Sequence, residues 1–382
     1  MSSLKILHVA SFSGNIGDNA NHTGFRAALE DNLCINIDFT EFEIRKVFWR
    51  EKSFDEEFIE FANVHDLVVI GGGNYFELWV DHSQTGTSID INLDLLAKIK
   101  VPIIFNALGV DPAQGASDIA IAKFRKFLDF VIESPSMLLS CRNDGSIKTL
   151  KEIIGEKYAK NFFHVPDAGF FTIVKDCFHP ELDNKKKNVV IQLAGDVLEN
   201  RFPNTQNNHI SYEEFLESFA AFMVEMNKLD VNFIFTPHIF KDLKIIDELI
   251  NRLPESLTRN CVAVAPYLVG QKGQDYIFDL YKKADLVLGM RFHANVCAIG
   301  LGSKCIGLAN YRQIHELYEE LGLSEYKVSV NEKGFEKILY RLSKDALFGE
   351  LNKSEDILVP LRTRLDAFHL EIKQMLNRLN IL

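Results

Sequence analysis

A guanidinium and an imidazole two residues apart, Arg291 and His293, stand in the stretch DLVLGMRFHANVCAIGLGSKCIGL. There an apolar strand-like run ends at Gly289 and an apolar helix begins. A fixed cation and a titratable ring are expensive to place between two elements that read as buried, unless they have a task there. Together they could hold an anion against the free N–H groups of the helix start and move a proton near neutral pH. The same residues would also serve as a capping histidine and a structurally paired arginine.

Other candidates lie at the ends of apolar runs. SFSGNIGDNANHTG carries Gly14, Gly17 and Asp18 in G-x-x-G-D spacing, suited to an anion at a helix start or simply to a capped turn. It is neither a dinucleotide fingerprint nor a P-loop. In DLVVIGGGNYF, the glycines Gly71, Gly72 and Gly73 let backbone approach a ligand, ahead of the reading as a purely structural turn, with Asn74 and Tyr75 following. Arg142, in SCRNDGSIKTL, is either a fork for phosphate or carboxylate or a surface ion pair. Asp167, in VPDAGF, is an orienting carboxylate or a turn residue. His238 follows a strand in TPH, with Asp242 four residues on.

These positions require strands that end together. Strand-length runs at 4–9, 34–42, 66–70, 102–107, 136–141 and 162–165 alternate with helical segments near 22–31, 54–63, 90–98, 117–133 and 144–154. Periodicity breaks in VKDCFHPELDNKKKN and resumes with strands at 188–193, 231–236, 261–265, 285–289 and 304–308. Between these lie helices at 211–228, 241–252, 274–283 and 293–301. Residues from about 332 to 382 read as helices, with a core stripe through Leu361, Leu365, Phe368, Ile372 and Leu376. The expected architecture is α/β, with two facing Rossmann-like doubly wound domains: 1–173, then 187–330 carrying the Arg-x-His site, then helices 331–382 that return to the first domain. Ligands of such sheets bind outside the carboxyl ends of strands.

Composition narrows the function classes. Among 382 residues, 47% are hydrophobic and 25% charged, as in a folded globular protein, so disorder is excluded. A net charge of −11 argues against a general nucleic-acid binder. No signal segment or membrane span is apparent, and a cytoplasmic location is expected. Six cysteines without CxxC spacing favour buried thiols over disulfides or zinc, and no metal site is expected.

Taken in order, the G-x-x-G-D loop, DLVVIGGG, Arg142 to Ser146, PDAGF, TPH with Asp242, and R-F-H-A followed by Tyr311 resemble the polysaccharide pyruvyl transferase family over residues 1 to about 325. Such enzymes are similar in architecture to two-domain, GT-B-like glycosyltransferases. The resemblance implies transfer of the enolpyruvyl group of phosphoenolpyruvate onto two hydroxyls of a sugar, as a cyclic ketal in exopolysaccharide biosynthesis. Phosphoenolpyruvate is then the donor substrate and no cofactor is needed. The acceptor is a sugar or glycan, with a carrier-linked acceptor and peripheral contact with a membrane-bound acceptor as further expectations. Arg291 and His293 would belong to the active site, Arg142 would supply a second cation, and His238 or Asp18 the second acid-base group. Gly17, Gly71, Gly72, Gly73, Asn74, Asp167, Tyr311 and Arg312 complete the expected substrate contacts. Asn143 stands where members usually carry an acidic residue, and Gln313 where they often carry a lysine. A glycosyltransferase with a nucleotide-sugar donor, or a non-catalytic glycan- or anion-binding relative, is the alternative.

Overall fold

The computed structural model describes residues 3–203, 208–349 and 355–382. They divide into two compact units: Met1–Phe12, Gly24–Ala168 and Val359–Leu382 in one, and Ser13–Thr23 with Gly169–Leu358 in the other. This division differs from a split at the charged linker. Residues 172–186 fold onto the second unit, where His179 pairs with Asp279, Lys283 with Asp176, and Asn188 holds the Asp183 backbone. Residues 350–354, inside the stretch expected to be helical, lie outside the described residues.

In the first unit the strands are β1 (Leu4–Ala10), β2 (Ile37–Glu43), β3 (Leu67–Gly71), the short β4 (Phe76–Glu77), β5 (Ile103–Leu108), the short β6 (Val110–Asp111), β7 (Met137–Arg142) and β8 (Phe162–Val165). Six of them form a parallel sheet in the order β2-β1-β3-β5-β7-β8, while β4 and β6 pair separately. The core strands are near-continuous apolar runs because a parallel sheet is covered on both faces. One cover is the helix Glu355–Arg378. Its Phe368, Ile372, Met375 and Leu376 pack with Ile6, Phe25, Leu29, Leu67, Val69 and Ile104. At three- and four-residue steps these side chains share one face.

The first helix is longer than periodicity suggests. It spans Ile16–Leu33, through a polar stretch that reads as loop, because Asn15 accepts from the Gly17 N–H at its start. It ends at Cys34, whose φ of 58° is left-handed, so β2 starts at Ile37 and not at residue 34.

The second unit contributes β9 (Lys187–Gln192), β10 (Val231–Phe235), β11 (Val262–Val264), β12 (Leu286–Gly289), β13 (Cys305–Ala309) and β14 (Lys327–Ser329), all parallel, in the order β11-β10-β9-β12-β13-β14. Counted within the unit this is 3-2-1-4-5-6, the order of the dinucleotide-binding folds. Its switch point lies between β9 and β12, where consecutive connections leave in opposite directions. The helix Arg312–Glu320 and strand β14, which periodicity misses, finish this sheet edge. Helix Tyr212–Met226 covers it with Phe215, Phe219, Phe222 and Met223, and starts from a capping box of Ser211 and Glu214.

Candidate active site

The switch point of the second unit holds a cluster of buried charge. Arg291 is the N-cap of the helix Phe292–Gly300, and its own N–H donates to Gln192 Oε1 at 2.7 Å, tying β12 to the end of β9. Its guanidinium forks onto Asp242, with Nε to Oδ2 at 3.0 Å and Nη2 to Oδ1 at 2.5 Å. A second fork reaches Asp196, with Nη2 to Oδ1 at 3.0 Å and Nη1 to Oδ2 at 3.3 Å. Burial works against this cation, yet the two carboxylates raise its pKa above the ordinary arginine value.

Asp242 is fully buried and also accepts from the backbone N–H groups of Gly195, His238 and Ile239. It therefore acts as a hub joining the loops after β9, β10 and β12. Asp196 is different. Its side chain is 27% exposed, and it receives Arg201 as well as Arg291, the Arg201 Nη2 lying at 3.3 Å. Against burial, the two guanidiniums hold it below the usual carboxylate range. The next residue, Val197, has a φ of 45°, a strained conformation for a β-branched side chain. Arg201 also donates to Asn310 Oδ1 at 3.1 Å and covers the Tyr311 ring at 5.2 Å.

His293 is the second residue of the same helix, two past the cap. Its Nδ1 lies 3.7 Å from Asp18 Oδ1, and both side chains keep a small exposed area. The G-x-x-G-D spacing now has a cause. Gly14 has a φ of +89°, and a Cβ on Gly17 would lie 2.5 Å from His293 Cβ and 2.6 Å from its Nδ1. Only glycine lets the helix start sit against the imidazole, which brings Asp18 alongside it. His238 is nearby in charge but fully buried, with Nε2 on the Tyr281 hydroxyl at 2.8 Å. Burial, then Arg291 and His293, push its pKa well below the ordinary histidine value, so it is a neutral imidazole.

The first unit gathers Gly71, Gly72, Gly73, Asn74, Arg142 and Asp167 in a separate polar cluster. Arg142 ends β7, with a side chain 4% exposed. Its Nε donates to Asp144 Oδ2 at 2.7 Å, and its Nη1 lies 3.6 Å from Asp167 Oδ2. It is thus a buried ion pair, and Asp144 supplies the carboxylate missing at Asn143. The Asn143 Oδ1 instead accepts from the Asp167 N–H at 2.9 Å. Burial raises the Asp144 pKa in spite of Arg142.

The three glycines answer to packing. A Cβ on Gly71 would meet the Asn106 carbonyl oxygen at 2.0 Å, Gly72 has a φ of 83°, and Gly73 lies under the Tyr75 ring. Asn74 Nδ2 donates to Asp111 Oδ2 at 2.8 Å, and Asn74 Oδ1 sits where a Cβ of Gly109 would be. Glu77 and Asp111 face one another in register across β4 and β6. Burial first, and then Asp111, push the Glu77 pKa up to about 7 against the Ser88 hydroxyl and Arg45. Neither Glu77, Asp111, Asp196 nor Arg201 stands out in the sequence. The weak signal that could have found one of them is at Asp196, an acid that follows the run NVVIQL after Ala194 and Gly195. Arg312 opens its helix and pairs with Glu316 of the next turn at 3.6 Å.

Among the described residues no group of three or more His, Cys, Asp or Glu side chains is placed to hold a metal ion. No helix among them is long and apolar enough to cross a membrane.

Solved structures place this architecture in a recognisable class. UDP-GlcNAc 2-epimerase from Methanocaldococcus jannaschii is similar over 94% of this chain and all of its own, with a TM-score of 0.53 and 14% identity. The Neisseria meningitidis UDP-GlcNAc 2-epimerase bound to UDP-GlcNAc matches 97% of this chain and all of its own, with a TM-score of 0.54 and 11% identity. A glycosyltransferase from Rickettsia africae matches 98% of this chain and 99% of its own, with a TM-score of 0.55 and 10% identity. The fold is thus the pair of Rossmann-like domains of GT-B glycosyltransferases and epimerases. No curated protein matches the chain significantly. The polysaccharide pyruvyl transferase family model spans residues 15–311, and the chain belongs to that family of transferases.

Proposed function

We propose that this transferase moves the enolpyruvyl group of phosphoenolpyruvate onto two hydroxyls of a saccharide, forming a pyruvate ketal. The observation that carries this reading is His293 at a buried helix start, seated on Gly17 and 3.7 Å from Asp18. Ketal formation needs one proton delivered to the methylene carbon while an acceptor oxygen bonds to C2. The second hydroxyl then bonds to C2 as the carbon–oxygen bond to phosphate breaks. Of the two hydroxyl protons, one ends on the new methyl group and the other on the released phosphate. A histidine oriented by a carboxylate is suited to both transfers. Asp18 fits this role better than His238, whose ring is fully buried and committed to Tyr281.

The fork of Arg291 and Arg201 around Asp196 supports an anionic donor, since two guanidiniums converging on one carboxylate also suit a phosphate or the donor carboxylate. In this reading the donor displaces the partly exposed Asp196, and Arg291 remains fixed by Asp242.

Calorimetry with phosphoenolpyruvate against UDP- and GDP-sugars, followed by phosphate-release assays with candidate glycans, tests the proposal. His293→Gln should retain donor binding and lose about 10²–10⁴ in turnover. Asp196→Asn should bind phosphoenolpyruvate about tenfold more tightly by removing a competing charge. Heat with a nucleotide-sugar and none with phosphoenolpyruvate would sink the reading.

A further inference from the structure

We propose that the turn Arg45–Lys52 is a docking site for an anionic lipid surface. This does not depend on the reaction proposed above. The sequence RKVFWREK places Phe48 and Trp49 side by side, 74% and 51% exposed. Two adjacent aromatic side chains open to water are unusual unless they meet an apolar phase, and tryptophan in particular suits the headgroup boundary.

The turn is built to present them. The helix Arg45–Phe48 is closed by Trp49 N–H donating to the Arg45 carbonyl, and then Glu51 and Lys52 both donate to the Lys46 carbonyl at 2.8 and 3.0 Å. Arg50, at φ 60°, makes the reversal. Arg45 anchors the base by donating from Nε to Ser11 Oγ at 2.6 Å. The hydrogen-bonded turn therefore orders the backbone that carries the aromatic pair, so little backbone freedom remains to be lost on binding.

Charge selects the partner. Lys46, Arg50 and Lys52 are exposed around the aromatic pair, with Glu51 the one acid of the turn, in a chain whose net charge is −11. Local positive charge on an acidic protein is complementary to anionic headgroups, and basic side chains beside aromatic wedges attach a protein without spanning the bilayer. Of the acids that follow, Asp55 caps the next helix and Glu56 pairs with Lys98, while Glu57 and Glu60 are exposed on that helix, beyond the turn.

Sedimentation with vesicles decides the matter, using pure phosphatidylcholine and a mixture with about a quarter phosphatidylglycerol. The protein should pellet with the anionic vesicles, with binding lost by about tenfold or more in Phe48→Ser, in the double variant Lys46→Glu and Arg50→Glu, and at roughly 0.5 M salt. The chain has two tryptophans, Trp49 and Trp79. In Trp79→Phe the remaining emission should shift to the blue on adding anionic vesicles, and a wild-type pellet quenched by brominated lipid reports the same insertion. Absence of pelleting, equal binding to neutral vesicles, or binding unchanged by Phe48→Ser would each overturn the proposal. So would concentration-dependent self-association abolished by the same substitution, which would assign the surface to a second copy of the chain.

Discussion

Arg142 ends a strand of the first unit and Arg291 caps the helix that follows a strand of the second, and both lie beside acids, yet they are held in different ways. Arg142 is paired from within its own turn, by Asp144 two residues on, with Asp167 at longer range. Arg291 is paired across strands, by Asp196 after β9 and Asp242 after β10, at the point where the strand order reverses. A local pair can form wherever the turn forms. A pair drawn from three loops exists only once the sheet is assembled, and it fixes those loops to each other.

Removing each cation sharpens this contrast. Arg291→Met should destabilise the protein by about 3–5 kcal/mol in urea titrations at neutral pH, because fully buried Asp242 is left without its countercharge. Arg142→Met should cost about 1–3 kcal/mol, since burial already inclines Asp144 to take up a proton, and the loss should shrink on acidification. Equal losses, with equal pH dependence, would erase the distinction.

The strand-end glycines should divide in the same way. A Cβ on Gly71 meets backbone at 2.0 Å, so Gly71→Ala should lower stability by about 1–3 kcal/mol or more. A Cβ on Gly289 meets side chains of Asn295 and Ala294 at 3.1 and 3.2 Å, and Gly289→Ala should cost less than about 1 kcal/mol by thermal unfolding.

Glu77 gives an effect specific to the first unit and to one pH window. Its folded pKa of about 7 stands above its ordinary 4.5, so the folded chain holds a proton that the unfolded chain releases. Its stabilising contribution is present below about pH 4.5 and is lost as pH rises toward 7, with a slope of at most about 1.4 kcal/mol per pH unit. Glu77→Gln should flatten the stability profile in that window. A profile unchanged by the substitution would show that the carboxyl titrates normally.

The sequence alone made the α/β alternation legible, because parallel strands buried on both faces must be continuous apolar runs and their covering helices must be striped. It also singled out Arg291 and His293, where polar chemistry interrupts such runs. At the triple glycine it left ligand contact and a structural turn both open, and the backbone of Asn106, a left-handed φ and the ring of Tyr75 are what constrain the three positions in the structure. The need for glycine at position 17 was illegible because its reason lies far along the chain, in the His293 imidazole that leaves no room for a side chain there. Composition and periodicity thus determined most of the elements and their order, since those depend on local burial and hydrogen bonding, though not the helix Arg312–Glu320 or β14. Which acids meet Arg291, which carboxylate stands beside His293, and which glutamate is driven toward neutral pH were decided by tertiary structure, because charge interactions depend on distance and burial and neither is written in residue spacing.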